Sequence, residues 1–84
     1  MTAASAAAVE RSTTLAAVAD APFMNTAQRI EALFLAALGR LPRTEEASRL
    51  VQYVNSGGPR HDTRAALADV FWALLNSPEF ILNH

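Results

Sequence analysis

Histidine and carboxylate side chains are the groups of this sequence best suited to metal or acid–base chemistry. The chain has two histidines, His61 and His84, and no cysteine. A metal site would need both histidines together with carboxylates such as Asp62 or Glu79. However, no two histidines stand four residues apart on a predicted helix, and no cluster has zinc-ligand spacing. We therefore predict no metal site, with both histidines at the surface or at the chain terminus.

Asp69 and Glu79 stand near functional groups without forming a recognisable acid–base pair. Asp69 lies one helical turn before Trp72, and Glu79 lies near His84, but nothing in the pattern pairs either carboxylate or places it in a cleft. The run Gly57-Gly58-Pro59 lacks the strand and the Lys-Ser/Thr of a phosphate-binding loop. The sequence thus predicts no catalytic residues and no cofactor, and an enzyme is the least favoured alternative.

The composition limits the partners that the chain can have. The formal net charge is -1. Arg40 and Arg43 lie in one predicted link between helices, while Arg60, His61 and Arg64 lie in the next, at the opposite end of an antiparallel bundle. No continuous basic stripe results, so we expect no nucleic-acid binding. A hydrophobic content of 51% is typical of a folded globular protein. No apolar run approaches the roughly 20 residues of a membrane span. The N-terminal run MTAASAAAVER has no basic residue before its alanines and predicts no signal peptide.

The elements that must position these residues are helices, and the densest apolar stretch is the C-terminal run ALADVFWALLNSPEFILNH. Its apolar residues recur at helical spacing on one face: Leu67, Val70, Phe71, Leu74 and Leu75. Asp62 or Thr63 can cap this helix. Residues 78–82 predict a short final helical turn capped by Ser77, which would fold Phe80 and Ile81 onto the core.

Three earlier segments also have helical patterns. Residues 13–20 predict a short helix, after which Phe23 and Met24 are expected to tuck under the next one. A capping box and a following glycine predict a second helix over 26–38. A third is expected over 45–55, with Thr44 as its cap and with an inward face of Ala47, Leu50, Val51 and Val54.

These elements predict an all-α fold: a small helical bundle of three core helices plus a short N-terminal helix and a C-terminal helical turn. Residues 1–12 are expected to be a flexible N-terminal segment, and residues 13–84 a single helical domain. Short links between successive helices favour antiparallel neighbours.

The runs 33–38 and 71–75 have apolar residues on every side of their predicted helices, and a bundle of this size cannot enclose both. Leu35 and Trp72 are therefore predicted to form a candidate docking surface. For Trp72 we favour the alternative that the N-terminal helix covers it, because tryptophan is usually largely buried.

The run RIEALFLAALGRLPRTEEASRLVQYVNSGGP, followed by ALADVFWALLNSPEFILNH, resembles the C-terminal part of a planctomycete-type domain of unknown function. That domain occurs in large multidomain proteins that often carry a cytochrome-c-like domain. The likeness spans about residues 15–84 and is most specific in 37–42 and 69–84. No haem-attachment Cys-x-x-Cys-His is present, so the resemblance implies no cytochrome function. A weaker likeness is to helical domains of bacterial surface and linker proteins.

The resemblance implies a non-catalytic structural and interaction domain, the C-terminal cap of a larger, extracytoplasmic bacterial protein. Its partner would be the rest of that parent protein or a second copy of the chain. The alternative is an autonomous helical module that binds other proteins or associates with itself. The neighbouring reading frames distinguish these two hypotheses. A split parent gene immediately upstream favours the cap, while a free-standing gene with its own start favours the module.

Overall fold

The computed structural model describes residues 13–83, and these form a small all-α bundle without strands, which confirms the predicted fold class. Residues 1–12, predicted to be flexible, lie outside the described residues, as does His84. The helices within 13–83 are α1 (residues 13–20), α2 (Thr26–Leu38), α3 (Thr44–Ser56), α4 (Thr63–Leu75) and α5 (Pro78–Asn83). A 3₁₀ turn, Gly58–Arg60, joins α3 to α4.

Helix α2 has the bounds that the sequence predicts, because both of its ends carry local signals. The Asn25 side chain accepts the Gln28 N–H at 2.8 Å, and the Gln28 side chain accepts the Asn25 N–H at 2.9 Å. These two bonds satisfy donors that the first turn leaves free. Gly39 ends the helix in the left-handed region, at φ 70°, which glycine adopts without steric cost.

The start of α3 differs from the prediction. Thr44 is the first helical residue rather than the cap, and Arg43 occupies the N-cap position. Glu46, the third helical residue, closes this start, because its carboxylate accepts the N–H of the N-cap residue Arg43 at 2.8 Å. At α4 the prediction is confirmed, since Asp62 accepts the N–H groups of Arg64 and Ala65.

The core lies where α2 and α4 pack against each other and against α1 and α3. Its buried members are Val18, Ile30, Leu33, Phe34, Ala37, Val54, Ala66, Leu67, Val70 and Phe71. The middle of the predicted α3 face, Leu50 and Val51, and the end of the α4 stripe, Leu74 and Leu75, are half-buried around them. Arg29 of α2 fixes the end of α1, because its guanidinium donates to the carbonyls of Val18 at 3.2 Å and Ala21 at 2.8 Å.

Two predicted core contacts are wrong. Phe23 does not tuck under α2 but is 79% exposed, and Met24 is only half-buried. Ser77 caps α5 as expected by accepting the Phe80 N–H at 3.2 Å. This short helix half-buries Phe80, yet it leaves Ile81 61% exposed. Apolar residues are thus left on the outside of the links and of the last helix.

Candidate functional site

An apolar hollow lies beside Leu35 on the outer side of α2. It has a volume of about 280 Å³ and is lined by Phe23, Met24, Gln28, Glu31, Ala32, Leu35 and Leu41. Leu35 is 52% exposed and Leu41 is 56% exposed. Exposure of three large apolar side chains around one concavity, counting Phe23, is unusual for a surface that faces only water.

A second hollow, also of about 280 Å³, adjoins the first. Its lining consists of Ala27, Glu31, Leu41, Pro42, Thr44 and Ala47. Glu31 and Leu41 line both hollows, so the two form one continuous surface along α2, the following link and the start of α3. We call the lining of these two hollows together the Leu41 surface. Most of its lining is apolar, and among the described residues Glu31, where the two hollows meet, is its only charged lining residue.

Helical geometry explains why Leu35 belongs to this surface. Its neighbours Leu33 and Phe34 are buried against α4, and Leu35 follows them by the next rotation of about 100° per residue, which carries it outward. Ala36 is also exposed, but it lines neither hollow. The apolar patch is therefore made by one side of the exposed face of α2.

Arg40 holds the link that carries Leu41. Its guanidinium donates to Glu79 of α5 at 2.6 and 2.9 Å, to Glu46 of α3 at 3.1 and 3.3 Å, and to the Leu41 carbonyl at 2.9 Å. It also lies over the Phe34 ring, 5.4 Å from the centroid, within the range of a cation–π contact. These contacts fix the backbone on both sides of Leu41.

The ionisation of this cluster follows from its hydrogen bonds. The bond from Arg40 lowers the pKa of Glu79, and bonds from Arg40 and from the Arg43 backbone lower the pKa of Glu46. The two carboxylates in turn raise the pKa of Arg40. All three groups are thus charged at neutral pH and act as a structural ion-pair network. Sequence reasoning missed the pairing of Glu79, because Arg40 is 39 residues away in the chain.

Trp72 lies apart from the Leu41 surface. The sequence favoured its coverage by the N-terminal helix, but Trp72 is 68% exposed, so that prediction is wrong for the described helix α1. It lines neither hollow of the Leu41 surface. The structure therefore exposes both predicted docking residues, Leu35 and Trp72, but does not bring them into one concavity. That either residue docks a partner stays a prediction.

Asp69, which the sequence left unpaired, connects α3 to α4. The Tyr53 hydroxyl donates to its carboxylate at 3.0 Å, and an Arg60 guanidinium nitrogen lies 3.8 Å from it. The hydrogen bond to Asp69 is the main reason that the pKa of Tyr53 is raised. A tyrosine held protonated in this way is not activated as a nucleophile or a base. The arrangement is suited to joining two helices rather than to catalysis.

Metal ligands do not converge in the part of the chain that the structure describes: within residues 13–83 no three His, Asp or Glu side chains are close enough to share an ion. His61 is exposed at the end of the 3₁₀ turn, with φ 53°, and His84 lies outside the described range. Among the same residues, no helix has both the length and the apolar character needed to cross a membrane.

Comparisons with known proteins leave the family open. Neither the protein-family models, nor the curated proteins, nor the solved structures give a significant match to this chain. The resemblance to the planctomycete-type domain therefore stays a prediction.

Proposed function

We propose that this chain is a non-catalytic structural and interaction domain that docks on another protein through the Leu41 surface. The observation that carries the proposal is the exposure of Phe23, Leu35 and Leu41 around two adjoining hollows. Burial of such side chains contributes about 1.5–3 kcal/mol each, which favours a protein partner over water at this surface.

The sequence resemblance supports a particular form of this function. In that form the chain is the C-terminal cap of a larger planctomycete-type protein, and the rest of the parent covers the Leu41 surface. The ion-pair network supports a docking role as well, because it holds the link around Leu41 in one conformation. A surface fixed before binding loses less conformational entropy when a partner docks.

The test is to express the chain together with a second polypeptide, which is either the remainder of its parent protein or the product of the reading frame immediately upstream. We expect the two to copurify. Leu35→Glu should weaken this binding by at least about tenfold, because it would bury an unpaired charge. Ala36→Glu is the matched control: it places the same charge one residue away, outside both hollows, and should bind as the unmodified chain does. Equal binding by both variants would disprove docking through this surface.

The second candidate function is an autonomous module that associates with itself. One specific observation favours it: the Leu41 surface has an acidic residue, Glu31, in its lining and a basic residue, Arg43, at its rim.

A further inference from the structure

We propose that the Leu41 surface of the free chain is covered by a second copy of the chain, with Glu31 of each copy facing Arg43 of the other. This inference rests on the proposed function in that it takes the Leu41 surface to be a docking surface. It goes further by naming the occupant and the two charged residues that align it.

The first step concerns Glu31, which lines both hollows beside Leu41. This side chain is half-buried, and it forms no ion pair or hydrogen bond with another described residue. A carboxylate that loses water on docking needs a partner of opposite charge, since burying it unpaired is costly. Any occupant of the Leu41 surface must therefore bring a basic group to Glu31.

The second step concerns Arg43, beside the second hollow. Its neighbours in sequence, Pro42 and Thr44, both line the second hollow, so Arg43 lies at the rim. The side chain is exposed and lies within 4.0 Å of no carboxylate in residues 13–83, although its charge contributes to the lowered pKa values of Glu46 and Glu79. It is free to reach across an interface, as long arginine side chains do.

The third step is symmetry. A two-fold contact places residue i against residue j and, at the same time, j against i. A surface that carries an acid and a base, each without an ion pair, therefore matches itself when the axis runs between the two groups. The Leu41 surface offers both groups, since Glu31 borders both hollows beside Leu41 and Arg43 lies at the rim of the second hollow. It thus supplies the basic group that Glu31 needs without any other partner.

Charge reversal tests the pairing directly, using sedimentation equilibrium of the full chain over a concentration series. We expect the unmodified chain to associate reversibly into dimers. Glu31→Arg and Arg43→Glu should each weaken the dimer on the order of tenfold or more, because two attractive pairs become two repulsive ones. Arg49→Glu, which reverses an exposed charge away from both hollows, is the control and should leave the dimer unchanged.

The decisive measurement mixes the two weakened variants. In a mixed dimer, both arginines of the Glu31→Arg chain would face both glutamates of the Arg43→Glu chain, so the mixture should associate at least as well as the unmodified protein. Circular dichroism of each variant alone checks that it stays helical. If the mixture does not associate, or if single reversals leave the dimer intact, the inference is wrong. One combination of results would overturn this inference and leave the proposed function standing. In it, the unmodified chain is strictly monomeric, and the Leu35→Glu variant no longer copurifies with the parent polypeptide.

Discussion

Arg40 is the residue at which α2, α3 and α5 are joined. Its two carboxylate partners, Glu46 and Glu79, have pKa values below the ordinary value, and the hydrogen bonds from Arg40 are the main cause. A carboxyl group whose pKa is lowered by folding contributes stability that is present above its unfolded pKa, about 4.3 for glutamate. That contribution is lost as the pH falls through the lower, folded-state pKa. Acid should therefore loosen this junction.

The corresponding prediction compares the unmodified chain with Arg40→Met in thermal unfolding between pH 7 and pH 2. At pH 7 we expect the variant to have the lower melting temperature, because it loses both ion pairs and the contact with the Phe34 ring. Below about pH 4 the difference should shrink, since the carboxylates of the unmodified chain become protonated. Arg49→Met, at an exposed position outside these ion pairs, should follow the unmodified curve. If the melting temperatures of Arg40→Met and the unmodified chain differed by the same amount at every pH, the stabilising role of the Arg40 ion pairs would be contradicted.

At the scale of elements, α4 shows how far local pattern determines position. Phe71 and Trp72 are adjacent aromatic residues on this helix, yet Phe71 is 5% exposed and Trp72 is 68% exposed. The pattern of α4 predicts this contrast in direction, because consecutive residues are rotated by about 100°. It does not predict what lies opposite each face.

The pair provides a matched test of the core. Phe71→Ala should lower the free energy of unfolding by about 3–5 kcal/mol, which is a large share of the stability of a domain of this size. Trp72→Ala removes a larger side chain from the same helix but should cost less than about 1 kcal/mol, because that side chain is mostly in water. Urea denaturation followed by circular dichroism measures both. Similar midpoints for the two variants would mean that the assigned inner and outer faces of α4 are wrong.

Helix bounds were predictable where the signals are local. Both ends of α2 are set by neighbouring residues, the capping box of Asn25 with Gln28 and the left-handed Gly39, and the predicted bounds are confirmed. The start of α3 was missed by one residue, because the Glu46 carboxylate bonds back to the N–H of Arg43, which makes Arg43 rather than Thr44 the N-cap. That carboxylate also accepts from Arg40, a contact that depends on how the link folds.

At the scale of the whole molecule, the candidate site was only half predictable. Leu35 follows from an apolar run with no polar face, and its exposure can be inferred from the size of the bundle. Phe23 and Leu41 complete the concavity only because the links before and after α2 come to the same side. The ion pair of Arg40 with Glu79 likewise joins residues far apart in sequence. The apolar periodicity of a single helix does not show which links or which distant residues come together in the fold.

Among the described residues, the large exposed apolar side chains lie on the Leu41 surface, at Trp72 and at Ile81, and a partner that covers the Leu41 surface need not cover Trp72. Because the chain has a single tryptophan, its fluorescence reports on Trp72 alone. Dimerisation through the Leu41 surface should leave that emission as red-shifted, and as accessible to iodide quenching, as in a dilute sample. Leu35→Glu should abolish the dimer without altering the monomer's spectrum.

A concentration-dependent blue shift would give a different assignment, because it would mean that Trp72 leaves water on association. If Leu35→Glu removed that shift together with the dimer, one interface would extend over both the Leu41 surface and Trp72. If the shift and the dimer both persisted in Leu35→Glu, then the helix face of Trp72 would be the contact, and the Leu41 surface would not be the site of self-association. Because Trp72 lines neither hollow of the Leu41 surface, we expect its emission to stay unchanged when the chain dimerises.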